Sequence, residues 1–386
     1  MSMAAACHGH KIPRRRSAVM ASSRPLMPPE ARLRRRRGGT TRARTMTIRG
    51  FLRRLSPLLV LAAVVLGGLP AAAQPYLKFS LDGRIDSEAA PFLLALEQGY
   101  LKAEGVDVTI DPAVSPQETL TRVATGTYDL GLVDINELIK FRDQNPGAAV
   151  RAVFMVENRP TYAVLARRSR GIAGPKDLGG KRIAASTTDG SLVHLLLFAR
   201  LNDVDRGRLR LDTVAVPVRE PMLASGQVDA ISASVLTVVD LKARGVPAED
   251  VVVLPMADYG VELYGQAIVV SAKMASERSE AVRGFLRAVV KAMQETVRDP
   301  ARAVEALSRR IDGQQRSREL ERLEIAISAN LVTPEVKADG FGAVDMARLT
   351  RAIDQLGLVH EFRTKPKAAD VFDPTFLPPL PERLPR

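Results

Sequence analysis

The chain has 386 residues, a formal net charge of +13 and 46% hydrophobic residues, which indicates a globular protein with room for two lobes. Residues 1–73 hold fifteen basic side chains and one acidic; the other 313 residues, with 41 basic and 42 acidic side chains, are close to neutral, which excludes a basic nucleic-acid-binding domain. The only cysteine, Cys7, lies in this basic leader, so the rest of the chain has no disulfide, thiolate metal ligand or cysteine nucleophile.

The leader divides into two predicted segments. Residues 1–45 are rich in arginine without an apolar period, and we interpret them as a disordered basic extension. Residues 46–73 have the order of a signal peptide, with three arginines, the apolar run Pro57–Leu69 and a small-residue cleavage site. A mitochondrial transit peptide is the alternative, because arginine is abundant and acids are scarce. The pattern favours export to the periplasm and leaves open whether Met1 or Met46 is the true start.

Short apolar runs alternate with helical patterns from residue 76 onward. This alternation predicts an α/β fold in which mainly parallel sheets carry helices on their faces. The predicted strands are 76–81, 106–110, 128–133, 150–156, 161–166, 182–185, 211–216, 228–232, 251–254 and 266–270. The predicted helices among them are 89–101, 116–125, 135–142, 192–199, 220–225 and 236–244.

The two alternating blocks predict two lobes. We expect residues 74–165 and 266–386 to form lobe 1 and residues 166–265 to form lobe 2, with two hinge crossings between them. From residue 279 the apolar residues recur at helical spacing, which predicts further helices in lobe 1. Residues 372–386 are rich in proline and predict an extended tail.

A polar loop, Ser186–Ser191, follows one predicted strand and opens the next helix. The first backbone N–H groups of a helix have no partner within the helix, and the helix dipole adds positive potential there. This loop is therefore a candidate site for an anionic or strongly polar group. The alternative is that its Ser, Thr and Asp side chains only cap the helix.

An ordered series of short segments resembles the type II solute-binding proteins of ABC importers. It is most similar to the branch for nitrate, taurine, aliphatic sulfonates and thiamine-pyrimidine precursors, and the likeness runs from about residue 76 to residue 356. The segments that carry it are Asp82, Gly99-Tyr100, Glu104 to Val106, Gly126 to Gly131, Lys176 to Lys181 and Gly226 to Ala230.

The resemblance implies a two-lobed periplasmic-binding-protein fold of type II. It also implies that the lobes close on a small-molecule solute and that the closed form docks on the membrane subunits of an ABC permease. We expect a monomer without cofactor, bound metal or nucleic-acid partner. A ligand-sensing role and an enzyme of pyrimidine-precursor biosynthesis are the alternative functions.

Ligands of open α/β sheets bind beyond the carboxyl ends of the strands, and this rule selects the candidate cleft residues. They are Asp82, Arg84, Ser87, Asp134, Asn136, Asn158, Arg159, Tyr162, Ser186, Thr187, Thr188, Gly190, Ser191, Ser232, Ser234 and Tyr264.

The chemistry of the solute stays open at this point. A pyrimidine is weakly supported, because Gly83 stands where that branch often has Trp and the chain has no Trp. A sulfonate or carboxylate would find Arg84 or Arg159 as a charged partner. The acids Asp82 and Asp134, with others nearby, favour an amine instead.

Catalytic motifs are missing from the sequence. After the leader the chain has two histidines, His194 and His360, and neither stands in a recognisable triad. No G-x-S-x-G, phosphate-binding glycine loop or paired metal-ligand spacing occurs. The sequence therefore predicts a binding protein and no catalytic residue.

Overall fold

The computed structural model describes residues 75–312 and 315–385. The predicted basic extension and signal peptide lie outside these residues. The described chain forms ten strands in two five-stranded sheets. They are β1 Tyr76–Ser80, β2 Asp107–Asp111, β3 Leu130–Asp134, β4 Val150–Met155, β5 Tyr162–Arg167, β6 Arg182–Ala185, β7 Arg210–Thr213, β8 Ala230–Ser234, β9 Val251–Pro255 and β10 Gln266–Ser271.

Each sheet has one strand that runs against the other four. The first has the order β2-β1-β3-β10-β4 and the second β7-β6-β8-β5-β9. The reversed strand is β10 in the first sheet and β5 in the second, and each pairs antiparallel on both sides. These are the strands that follow the two crossings between the lobes, so the predicted two-lobed, mainly parallel α/β fold is confirmed.

The first crossing lies earlier than the sequence indicated. β5 belongs wholly to the second sheet, with Tyr162 opposite Ser234 and Arg167 opposite Val251. The predicted lobe boundary between residues 165 and 166 therefore falls inside a strand, and the chain crosses between β4 and β5. An apolar strand shows no sign in its sequence of which sheet it joins.

Helices cover both faces of each sheet. Their bounds are α1 Ala90–Glu97, α2 Tyr100–Ala103, α3 Pro116–Ala124, α4 Ile135–Gln144, α5 Ser191–Leu201, α6 Arg219–Ala224, α7 Thr237–Ala243, α8 Ala272–Glu277, α9 Ser279–Arg298, α10 Pro300–Ser308, α11 Arg316–Ala326, α12 Pro334–Asp339, α13 Met346–Leu356, α14 Ala368–Val371 and α15 Leu380–Arg383. The predicted helix 89–101 is two helices, because Gly99 adopts a left-handed conformation with φ of 70° that ends α1.

The central strand β3 is buried on both faces, which explains its continuous apolar sequence. Leu130 and Leu132 pack into one apolar cluster, where Phe79 of β1 meets the Phe92 ring at 5.0 Å. Val133 packs into the cluster on the opposite face. A Cβ atom on Gly131 would lie 2.6 Å from the Thr119 methyl group, so this glycine lets α3 approach the sheet closely.

The last described residues pack against the rest of the protein. The predicted extended tail, residues 372–386, is therefore wrong for part of its length. Residues 380–383 form α15, and the buried guanidinium of Arg383 donates to the carbonyls of Asp339 and Phe341, each at 2.8 Å. Gln294 of α9 donates to the Leu384 carbonyl at 2.8 Å. Proline content alone did not reveal these side-chain contacts. Among the described helices, none is long and apolar enough to cross a membrane.

Candidate functional site

A cavity of about 640 Å³ lies between the two lobes. Lobe 1 lines it with the turn after β1, from Leu81 to Ala89, and with Gln266 at the start of β10. Lobe 2 lines it with Thr188 and Asp189 after β6 and with Ser234 at the end of β8. The walls are thus the ends of strands, where the topology of open α/β sheets places ligands.

The polar loop after β6 uses its own backbone donors. The N–H of Thr188 donates to Ser186 Oγ at 3.2 Å, and the N–H of Ser191 donates to Asp189 Oδ1 at 2.9 Å. The N–H of Gly190 donates to the Tyr162 hydroxyl at 3.0 Å. These three N–H groups at the start of α5 therefore have partners within the protein, which supports the capping interpretation of the loop.

The buried side chain of Arg219 stabilises the conformation of this loop. It is only 4% exposed, forms an ion pair with Asp189 at 2.9 Å and donates to Ser191 Oγ at 2.8 Å and to the Ser232 carbonyl at 2.7 Å. The sequence alone does not identify Arg219, because the start of α6 does not reveal that its side chain reaches the loop after β6. An arginine at the first position of a short helix is the only signal.

The wall of lobe 1 is strongly acidic. Burial raises the pKa of Asp82 well above its usual range, and repulsion from Glu88 and Asp134 adds to this shift. Burial also raises the pKa of Glu88 to about 7, with repulsion from Asp86 as the second cause. The pKa of Asp134 is raised to about 7 by burial, while hydrogen bonds from Asn136 oppose the shift.

Glu157 extends this acidic wall into the first crossing. Its pKa is raised well above the usual value by burial and then by repulsion from Glu88. The N–H of Gln266 donates to Glu157 Oε2 at 3.3 Å, so the two crossing segments are joined beside the cavity. Four carboxyl groups, counting Asp82 and Asp134, therefore lie close enough to repel one another.

The tyrosine and histidine near the cavity pack on each other. The ring of Tyr162 lines the cavity and its centroid lies 4.4 Å from that of His194. His194 is buried, its Nδ1 lies 2.9 Å from the Gly190 carbonyl, and burial lowers its pKa to about 4. This histidine is a neutral core residue at physiological pH.

Four of the five described arginines that line the cavity lie within 4.0 Å of an acid, whereas the exposed Arg244 forms no ion pair with another described residue. Arg84 lies 3.2 Å from Asp86, although its side chain is 70% exposed. Arg322 of α11 is 7% exposed and lies 2.6 Å from Asp240 of α7, which joins the two lobes across the cavity. The sequence analysis missed both Arg322 and Asp240, because they lie on helices far from any strand end.

The structure brings together part of the predicted site. Asp82, Arg84, Tyr162, Thr188 and Ser234 line the cavity. A second group is not part of the lining and supports it from behind or beside, with most members buried: these are Ser87, Asp134, Asn136, Ser186, Thr187, Gly190, Ser191 and Ser232.

Three predicted site residues have partners elsewhere. Arg159 pairs with Asp258 on the surface. Asn158 Oδ1 accepts a hydrogen bond from the Thr333 hydroxyl at 2.9 Å, and the Tyr264 hydroxyl donates a hydrogen bond to the Glu335 carboxylate at 2.8 Å. The rule of strand ends selected these residues, but Arg159 turns toward the segment after β9, and the side chains of Asn158 and Tyr264 turn toward α12 and the residue before it.

No cluster of His, Cys, Asp and Glu with the arrangement of a metal site occurs within residues 75–312 and 315–385. The acids that line the cavity from lobe 1 lie along the turn after β1, and Asp189, Glu220 and Asp240 line it from lobe 2. Their environment suits a ligand that donates hydrogen bonds or carries positive charge.

The fold and the cavity between its lobes define the class: this is the solute-binding protein fold of ABC import systems. The family model described as NMT1/THI5 like matches residues 86–303, more than half of the chain, and the chain belongs to this family. The resemblance drawn from the sequence is therefore confirmed.

A sequence relative and two solved structures are similar to the chain. Riboflavin-binding protein RibY of Chloroflexus aurantiacus is 26% identical over 219 residues, which cover 55% of this chain and 60% of RibY. The match thus spans about three fifths of that relative's length. The sulphonate-binding protein SsuA of Escherichia coli has a TM-score of 0.63 at 16% identity, covering 79% of this chain and 94% of SsuA. The nitrate-binding protein NrtA of Synechocystis PCC 6803 has a TM-score of 0.55 at 12% identity, covering 78% and 86%. At these identities the two structures show the fold alone.

Proposed function

We propose that the protein binds a small polar solute in the cavity between its lobes and delivers it to an ABC permease by closing on it. The observation that carries this proposal is that both lobes line one cavity of about 640 Å³ and are joined by two crossing segments. This volume lies within the roughly 300–1,000 Å³ usual for small-molecule sites. Domain closure around a ligand is a common use of such a geometry.

The proposal places the mature protein in the periplasm as a monomer. Its partners are the solute and the membrane subunits of the permease, and it needs no cofactor. Catalysis by this chain is not part of the proposal. Ser191 Oγ contacts Arg219 and Ser186 instead of a base, and the pKa of His194 is too low for a general base near pH 7.

Large flat aromatic solutes are less well supported. Among the described residues, Tyr162 is the one aromatic side chain that lines the cavity, and its ring already packs against His194. A riboflavin or pyrimidine ring would need an aromatic face to stack on. Riboflavin, which appears in the name of RibY, is therefore one of the solutes in the test below but is not the leading candidate.

A thermal-shift screen tests the proposal, with amines, sulfonates, nitrate, a pyrimidine and riboflavin as solutes. At a hundredfold excess over Kd, binding stabilises a protein by about 2.7 kcal/mol, which raises Tm by several degrees. We expect at least one solute to do this and to be recovered unchanged by NMR after prolonged incubation. Conversion of the solute would favour the biosynthetic enzyme instead.

A role in transport and a role in sensing predict different phenotypes for cells that lack the protein. If the protein serves an importer, cells without it take up the bound solute more slowly. Unchanged uptake, combined with loss of a response to the solute, would favour the sensing alternative.

A further inference from the structure

We propose that the solute is an organic cation, with a protonated amine or guanidinium group seated against Asp82 and Glu88. This inference rests on the proposed function, since it concerns the ligand of the same cavity. It is carried by four features of the cavity wall. Two carboxyl groups are unpaired, a buried oxygen behind them has no partner, four of the five lining arginines among the described residues are paired with acids, and three backbone N–H groups at the start of α5 already donate within the protein.

Asp82 and Glu88 line the cavity from lobe 1. Within the described part of the chain, neither side chain forms an ion pair within 4.0 Å or a hydrogen bond to another side chain. Asp86, between them, is paired with Arg84 at 3.2 Å and lies 3.8 Å from Arg322. Asp82 and Glu88 therefore face the cavity without a partner among the described side chains, unlike the cavity-lining acids Asp86, Asp189 and Asp240.

Asp134 adds a buried oxygen without a partner. Its side chain is 4% exposed, and Oδ1 accepts from the N–H and the amide of Asn136, each at 2.7 Å. Oδ2 has no hydrogen-bond partner. It lies 2.8 Å from the point that a Cβ atom on Gly190 would occupy, and the Tyr162 hydroxyl lies 3.0 Å from the same point. Oδ2 is therefore directed across the gap between the lobes, toward the cavity-lining tyrosine.

An anionic solute is the alternative, and the one unpaired arginine among the described residues that line the cavity is the exposed Arg244. Arg219 is occupied by Asp189 and two further acceptors, and Arg322 is occupied by Asp240. Arg84 lies beside Asp86 and is mostly exposed. The N–H groups of Thr188, Gly190 and Ser191, which would otherwise suit an anion, donate within the protein.

Repulsion among the acids favours the same conclusion. Asp82 is repelled by Glu88 and Asp134, and Glu157 is repelled by Glu88 and Asp82. A cation placed among them would replace this repulsion by attraction and supply hydrogen-bond donors to their free oxygens. The charged and titratable groups that line the cavity or act on these acids are Asp82, Arg84, Asp86, Glu88, Asp134, Glu157, Tyr162, Asp189, Arg219, Glu220, Asp240, Arg244, Arg318, Glu319 and Arg322.

Isothermal titration calorimetry on the purified protein tests the inference with matched solutes. Putrescine, agmatine and choline are the cations, 1,4-butanediol is the neutral counterpart of putrescine, and succinate and methanesulfonate are the anions. We expect at least one cation to bind, and the neutral and anionic probes to bind at least tenfold more weakly or not at all.

Two variants and a control locate the cation. Asp82→Asn and Glu88→Gln keep the shape of each side chain, remove one negative charge and leave no buried positive charge unpaired, so both are expected to fold. Each should weaken binding of the cation by tenfold or more. Asp107→Asn removes an exposed acid of lobe 1 and should leave the affinity unchanged. Thermal melting of each variant checks the fold.

Each outcome decides between the claims. Binding of an anionic or neutral probe with no loss in Asp82→Asn and Glu88→Gln overturns the cation inference and leaves the solute-binding function standing. Binding of a cation that both variants leave unchanged also overturns the inference, because the cation then sits elsewhere. Absence of binding by probes of every charge, together with no hit in the thermal-shift screen, overturns the inference and the proposed function together.

Discussion

Arg219 shows how one buried side chain shapes the site. Its guanidinium contacts an acid and a hydroxyl of the loop after β6 and a carbonyl of β8. A buried charge with this many partners is expensive to disturb, since removal of the arginine leaves Asp189 and the Ser232 carbonyl without their donor. The loop after β6 therefore depends on α6 for its conformation.

We predict that Arg219→Ala lowers the free energy of unfolding by about 2–4 kcal/mol, because it breaks a largely buried ion pair and two hydrogen bonds. Urea denaturation followed by circular dichroism measures this change. Arg206→Ala, which removes an exposed arginine from the same lobe, should change the stability by less than about 0.5 kcal/mol. Equal effects of the two substitutions would show that Arg219 does not hold the loop.

The raised pKa values of Glu88 and Asp134 predict how stability depends on pH. Both groups have a pKa of about 7 in the folded protein, above the roughly 4 of an unfolded carboxyl group. Between these values the folded state binds more protons, so stability falls as pH rises through 7. His194 acts in the opposite sense, but only below its unfolded pKa of about 6.5.

In the window from pH 8 to pH 6.5 the carboxyl groups therefore contribute more than His194, whose opposing effect is confined to the lower end of the window. We predict that the ligand-free protein is more stable at pH 6.5 than at pH 8 by about 1 kcal/mol, measured by urea denaturation at both values. Asp134→Asn should reduce this difference, because it removes one titrating group. A stability that is flat or that rises with pH in this window would contradict the assigned pKa values. The groups that face these carboxyls are Asp86, Glu319, Arg84 and Arg322 for Glu88, and Glu137, Lys140 and Asp82 for Asp134.

Sequence reasoning at this scale found the residues that directly follow strands. Asp82 and Thr188 were selected because the carboxyl ends of strands meet at the cleft, and both line the cavity. The same rule also selected Arg159 and Tyr264, whose side chains turn away from it. Arg219 and Arg322 were missed because their positions depend on how helices pack, which no local pattern encodes.

Two helices from different lobes meet at the mouth of the cavity. Arg322 of α11 pairs with Asp240 of α7 at 2.6 Å, and Lys242 pairs with Glu321 between the same helices at 2.9 Å. The first pair has one buried partner, whereas both side chains of the second are more than 40% exposed. The buried pair should therefore contribute more to holding the lobes together.

We predict that Asp240→Asn weakens solute binding about fivefold to twentyfold, because part of the binding energy is then used to close the lobes. Titration calorimetry with the cation that binds tightest measures the loss. Lys242→Ala removes an exposed ion pair between the same helices and should change the affinity by less than about threefold. A larger effect of Lys242→Ala than of Asp240→Asn would exclude the Arg322–Asp240 pair as the main bridge.

The strands were the most predictable elements, because each buried strand is a short apolar run between turn residues. All ten predicted runs overlap the observed strands. The pairing of the strands was harder to predict from the sequence. β5 and β10 are reversed in their sheets, and β5 joins the second sheet from its first residue. Only tertiary packing decides which sheet an apolar strand enters, and it also docks the proline-rich end of the chain.

At the scale of the whole molecule, the two crossings make the lobes separate bodies that share one cavity. The acidic wall belongs to lobe 1, while the polar loop and Arg219 belong to lobe 2. A solute that binds the acids of one wall and contacts Tyr162 or Thr188 of the other would favour the closed arrangement, since it gains contacts with both lobes only there.

The measurement that tests this account most directly is the distance between the lobes in solution. The only cysteine in the sequence is Cys7, so a protein that starts at residue 74 has no cysteine background and nitroxide labels can be attached at Val114→Cys and Val218→Cys. These exposed valines stand on opposite lobes near the cavity mouth, and their side chains are 89% and 43% exposed. We predict that double electron–electron resonance shows a shorter and narrower distance distribution when the tightest-binding cation is added, and no change in Asp82→Asn. A distribution that stays the same at saturating solute would contradict closure of the lobes on a bound molecule.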